Sequence, residues 1–159
     1  MWDKLYTLIA ENAAGDVLRA WLERCSTPDR PPEAMAVAAS CGTCESVDAL
    51  LDLGWSPSQS DGFGVTPLMV AAESGRTKMI GHLLRRGAHI EARDSYGQTA
   101  LFYAARAEGA EEAVNVLLEA GATRDVVDDQ GISFEQYAAT QSFGFRLGTW
   151  DIGGRFRRK

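Results

Sequence analysis

The chain predicts an all-α fold, a solenoid of stacked helix-turn-helix units joined by hairpin loops. Three observations predict it. Residues recur at a spacing of 33 through the middle of the chain, and a fixed period of that size marks a repeat architecture. Each period holds two short apolar faces at helical spacing. A glycine parts the two faces, and neither face buries much surface alone, so each unit needs its neighbours.

The clearest unit runs from Asp61 to Arg93, DGFGVTPLMVAAESGRTKMIGHLLRRGAHIEAR. Thr66-Pro67 starts a helix: the hydroxyl takes a free backbone N–H, and proline suits a first position that has no use for a donor. Leu68, Ala71 and Ala72 form its apolar face, and Gly75 breaks it. Met79, Ile80, Leu83 and Leu84 form the face of a second helix, which Gly87 stops. Asp94, Gly97, Thr99, Leu101, Ala104 and Ala105 repeat the first half of this pattern 33 residues on. Ala38, Ala39, Gly42, Leu50, Leu51 and Gly54 repeat it 33 residues back. The pattern resembles the ankyrin repeat, whose signature runs through Thr-Pro-Leu-His and a following alanine. Met69 stands at the histidine position.

In chain order, residues 1–27 read as a shortened capping unit, with faces at Leu5, Leu8, Ile9 and at Val17, Leu18, Trp21, Leu22, and a turn at Gly15-Asp16. STPDRPPE lacks the Asp-x-x-Gly pattern, so an irregular first hairpin is expected. The second unit, 28–60, carries Ala34, Met35, Val37, Ala38 and Ala39, then Val47, Ala49, Leu50 and Leu51. Its Trp55 replaces the usual alanine, as part of an aromatic patch or as packing against the next hairpin. The third unit is 61–93. The fourth, 94–127, has one extra residue near Ala107–Glu108, where an insertion maps to a loop. The fifth, 128–142, puts Glu135 where Leu68 stood. A carboxylate in a core is costly unless paired, so this unit is expected to leave its polar side uncovered, with Phe134 or Tyr137 supplying the packing. Residues 143–159 form a tail rich in glycine, aromatics and arginine.

Composition is ordinary for a globular domain, and no apolar run reaches the ~20 residues of a membrane span. Acids near the N-terminus predict no secretory signal. Three cysteines cannot all pair within one chain, so reduced thiols in a cytoplasmic setting are the simpler reading. Charge is uneven: the net is −10 up to Phe145 and +4 from Arg146 onward. The body therefore disfavours nucleic acid and favours a partner with a basic surface.

The motifs point away from catalysis. Cys41-Gly42-Thr43-Cys44 lacks the preceding strand of a redox motif and the second ligand pair of a zinc site. His82 and His89 belong to no nucleophile or metal pattern, and Gly62 and Gly64 lack the lysine of a phosphate loop. No enzyme, metal or cofactor is expected. The tail residues Trp150, Arg155, Phe156 and Arg157 suit contact with RNA or an acidic protein, but fold-back onto the acidic body or simple disorder is the preferred reading.

What the ankyrin resemblance implies is protein binding through hairpin tips and the exposed side of the first helices. Carried over by position, the contacts are Phe63, Val65, Met69, Glu73, Arg93, Tyr96, Gln98, Phe102 and Arg106. Phe63 and Tyr96 are expected side by side on adjacent tips, as interface anchors or as rings packed along their own hairpins. Met69 and Phe102 are expected to face solvent on the same surface, with Glu73 and Arg106 nearby. The role implied is to mask or scaffold a partner. The alternatives are an immunity or antagonist protein neutralising a basic toxin, nuclease or defence factor, and, ranked last, a nucleic-acid-associated protein acting through its tail.

Overall fold

The computed structural model describes residues 2–24, 31, 33–107, 110–140, 148–150 and 156–158. Its helices come in antiparallel pairs: α1 (Trp2–Ala10) with α2 (Gly15–Arg24), α3 (Glu33–Cys41) with α4 (Cys44–Asp52), α5 (Pro67–Glu73) with α6 (Thr77–Arg85), and α7 (Ala100–Ala104) with α8 (Ala110–Glu119). The ninth helix, α9 (Phe134–Thr140), packs on α7. First helices stack on first helices, α2 on α4 and α6 on α8, with α4 and α6 linked by ion pairs, so the chain is the expected two-layer solenoid.

The two layers differ in what fills them. Between the first helices lie Ala38, Ala39, Ala71, Ala72, Ala104 and Ala105, all buried. Alanine lets backbones approach closely at little entropic cost. The second layer is filled by larger residues: Leu50, Leu83 and Leu117 recur in phase and are fully enclosed, with Met79 and Ile80 beside them. Leu84, read from sequence as core, is only partly buried, as are Leu51 and Leu118. The second residue of each Leu-Leu pair sits further round the helix, at the edge of the seam.

Several local expectations resolve differently. In the first pair the turn precedes Gly15, which opens α2 instead. Asn12 adopts the left-handed conformation with φ of 53°, which asparagine tolerates better than most residues. Trp55 is buried and its indole N–H donates to the Pro31 carbonyl at 3.1 Å, so it packs and forms no exposed patch. Glu135 is exposed and meets Arg124 at 2.5 Å, while Phe134 takes the buried place. The hairpin expected to be irregular and the extra residue of the fourth unit fall largely outside the described residues.

The tail departs from a strictly all-α chain. Strands β1 (Gly148–Trp150) and β2 (Phe156–Arg158) pair antiparallel, with Trp150 opposite Phe156, and β2 lies beside α8. Two short runs with β-forming residues, parted by Gly153-Gly154, carry the sequence signal of a hairpin.

Candidate functional site

Three hairpins of one design project from the stack. Each begins with an aspartate whose Oδ1 accepts two backbone N–H groups of its own loop. Asp61 holds Phe63 and Val65, and Asp94 holds Tyr96 and Gln98, all at 2.9 Å. Asp128 holds Gln130 at 3.0 Å and Ile132 at 2.9 Å. A carboxylate that takes two N–H groups acts as a strong, charge-assisted turn former. Gly97 is needed twice over: its φ is +74°, and a Cβ there would lie 2.3 Å from Asp129 Oδ1.

The tips are then joined to each other. Ser95 N–H donates to the Phe63 carbonyl at 2.8 Å and its hydroxyl to the same oxygen at 2.7 Å. One unit on, Asp129 N–H donates to the Tyr96 carbonyl at 2.9 Å. The backbones of residues 63 and 96 are thus held while their rings stay 68% and 62% exposed. Arg93 lies exposed along the same row and donates to the Val127 carbonyl at 3.1 Å, and Val127 is itself exposed.

The other candidates divide. Val65 is partly buried and Glu73 exposed. Met69 and Phe102 are both 0% exposed, which corrects their expected solvent-facing placement. The third position of a helix turns its side chain back over the cap, and the next unit closes over it. There the Met69 sulfur accepts Thr66 N–H at 3.3 Å. Phe102 has no acceptor and packs instead against Phe134 at 5.9 Å and Tyr137 at 5.3 Å between ring centroids. Gln136, at the equivalent position of α9, accepts Ser133 N–H at 3.0 Å.

Gln98 is buried as well, at 8%. Its amide donates to Asp128 Oδ2 at 3.3 Å and its oxygen accepts from Arg106 at 2.5 Å. The Arg106 guanidinium also donates to Tyr137 Oη at 2.6 Å, reaches Glu73 at 3.4 Å, and lies over the Tyr103 ring at 4.5 Å. Tyr103 in turn donates to Asp94 Oδ2 at 2.7 Å. Burial, then the hydrogen bond to Asp94 and its charge, push the Tyr103 phenol well above its ordinary range. Burial works against the charge of Asp128, but the N–H of Ile132, the Gln98 amide and the N–H of Gln130 outweigh it and hold the carboxyl below its usual range. Sequence reasoning missed this network. Its signals were the opposite charges of Glu73 and Arg106, 33 apart, and the tyrosines at 103 and 137 in matching repeat positions.

Elsewhere the candidates are structural or apart. His82 pairs with Asp48 at 2.8 Å, and Arg86 joins the same carboxylate at 3.0 Å. Arg19 pairs with Asp52, so this ladder ties the second helices of three units. His89 is exposed and donates its backbone N–H to Ser58 at 2.9 Å. Cys41 and Cys44 are free thiols, and no cluster of three metal-binding side chains occurs among the described residues. Trp150, Phe156 and Arg157 lie on the hairpin strands, and Arg155 falls outside the described residues.

Comparison with known proteins agrees with this architecture. The family model for ankyrin repeats matches three copies across residues 34–128. An ankyrin repeat-containing protein of Schizosaccharomyces pombe is 37% identical over 79 residues, covering 50% of this chain and 38% of that protein. SH3 and multiple ankyrin repeat domains protein 2 of Homo sapiens is 38% identical over 91 residues, 56% of this chain and 5% of that protein. A glycerophosphocholine phosphodiesterase of S. pombe is 28% identical over 149 residues, 90% of this chain and 13% of that protein. The chain thus spans well under half the length of these relatives.

Proposed function

Because the chain belongs to the ankyrin repeat family, whose members generally bind other proteins, we propose that it is a non-catalytic binding module that masks or scaffolds a partner through its row of hairpin tips. Residues 1–142 form the binding domain in this reading, and 143–159 its tail. The observation that carries it is the pair Phe63 and Tyr96, two large rings held out into solvent on backbones that are hydrogen-bonded tip to tip. Exposed aromatics on a preorganised frame make economical anchors, since little ordering cost remains when a partner arrives. In this reading Arg93 and Val65 flank them, and Glu73 lies at the far end of α5 beside Arg106.

The net charge of −10 up to Phe145 favours a partner with a basic surface, captured by steered association that weakens with salt. An antagonist of a basic toxin, nuclease or defence factor is the sharper form of this reading. Free thiols fit a reducing, cytoplasmic setting, and no helix among the described residues is long and apolar enough to cross a membrane.

A photo-crosslinking residue placed at 63, at 96 or at the exposed position 85 of α6 tests the surface. One protein captured from both 63 and 96, and not from 85, supports the tips. Replacing Phe63 and Tyr96 together by alanine then weakens that complex at least about a hundredfold, at ~2 kcal/mol or more for each anchor. Capture that persists in the double variant and vanishes on deletion of residues 146–159 transfers the function to the tail.

A further inference from the structure

Arg106 was expected to touch a partner, yet its guanidinium is engaged within the chain. Its bonds are unequal. Those to Gln98 at 2.5 Å and Tyr137 at 2.6 Å lie in a part-buried setting, with the Tyr103 and Tyr137 rings at 4.5 and 5.6 Å. The bond to Glu73 is 3.4 Å long and exposed. The side chain is therefore tied firmly to the fourth and fifth units and weakly to the third.

From Arg106 a continuous set of contacts leads to the tip row. Arg106 donates to the Gln98 oxygen, and the Gln98 amide donates to Asp128 Oδ2. The other oxygen of Asp128 shapes the fifth hairpin by accepting from Gln130 and Ile132. That hairpin supplies the Asp129 N–H that holds the Tyr96 carbonyl. Among the described residues the fifth unit is also held by α9, a seven-residue helix seated on α7 through Phe134 and Tyr137, by the Arg124–Glu135 pair, and by the Phe134 N–H on the Val126 carbonyl.

We propose that Arg106 is a positioning residue that fastens the fifth unit to the fourth and so holds the Tyr96 end of the recognition row through Asp128, while the Phe63 carbonyl is held by Ser95, on a hairpin that Asp94 closes within the fourth unit. The proposal rests on the tips being the working surface, but its test needs no partner. Amide hydrogen exchange is measured by NMR on the full chain, in the wild type and in Arg106→Met, Tyr137→Phe and Glu73→Gln. A part-buried charge-assisted bond is worth enough that Arg106→Met speeds exchange of the Asp129 amide at least about tenfold. Tyr137→Phe, which keeps the ring and removes only the acceptor, speeds it several-fold. The Ser95 amide, bonded to Phe63, stays within about twofold of wild type in both, and Glu73→Gln alters neither. Unchanged Asp129 exchange in Arg106→Met and Tyr137→Phe overturns the proposal. So does equal acceleration at Ser95 and Asp129, which marks general loosening of the stack. If the exchange pattern appears but no protein crosslinks to the tips, the clamp stands and the proposed binding surface falls.

Discussion

The sulfur of Met69 accepts the backbone N–H of Thr66 at 3.3 Å, while the Thr66 hydroxyl accepts the N–H of Met69 at the same distance. This is a capping box in which a thioether takes the place of the usual carboxylate or amide. Met69→Leu keeps the volume and deletes the acceptor, so it should cost about 1 kcal/mol in urea denaturation. A variant as stable as the wild type would mean that the sulfur merely fills space.

The layers of the stack predict a graded response to truncation. Leu83 is fully enclosed and Leu84 only partly. Leu83→Ala should cost roughly 2–5 kcal/mol, the usual range for a packed core, and Leu84→Ala distinctly less. Glu73→Ala, at an exposed site with one long ion pair, should change the denaturation midpoint little. Equal losses at 83 and 84 would contradict the edge position of Leu84.

Gly97 and Gly131 share a positive φ, +74° and +76°, but not their surroundings. A Cβ at Gly131 meets nothing within 4 Å, whereas at Gly97 it meets the Asp129 carboxylate. Alanine should cost about 1–2 kcal/mol at Gly131 from the backbone alone. It should cost more at Gly97, where the next tip must also shift, and thermal denaturation of the two variants gives the comparison.

Stability should fall at both ends of the pH scale. The Tyr103 phenol is raised in the folded state from an ordinary value of 10.0. Its contribution is therefore complete below pH 10 and is lost as pH rises toward the folded value. Tyr103→Phe should flatten the alkaline decline in urea-derived stability. Asp128 is lowered from 3.8, so its contribution is present above that value and is lost on acidification. Asp128→Asn should flatten the acid limb, and an unchanged slope in either variant would remove that residue from the account.

Much of the fold is legible because its causes are local and repeated. Asp61-x-x-Gly64 and Asp94-x-x-Gly97 spell out their turns, since a short acceptor and a left-handed glycine suffice to close them. Phe63 and Tyr96 follow from the same phase. The burial of Met69 and Phe102 was not legible, because the next unit encloses them and a reading of one unit does not include its neighbour. Arg106 was misread for a related reason. An arginine in the turn after a first helix looks exposed until Gln98 and Tyr137, eight and 31 residues away, are brought against it. The tail hairpin had a signal in Gly153-Gly154 between short β-forming runs, which the arginine-rich composition obscured.

The contrast between the two helix layers sets the shape of each unit. Alanines at 38, 39, 71, 72, 104 and 105 make it thin on the first-helix side. Leucines at 50, 83 and 117, with Met79 and Ile80, make it thick on the other. A pile of wedges bends toward its thin edge, so the curvature of a solenoid is written in residue volume. Enlarging the thin seam, as in Ala72→Val, should straighten the pile and spread the row that carries Phe63 and Tyr96. A change of two methyl groups far from solvent thereby adjusts the span of partner that the row can grip.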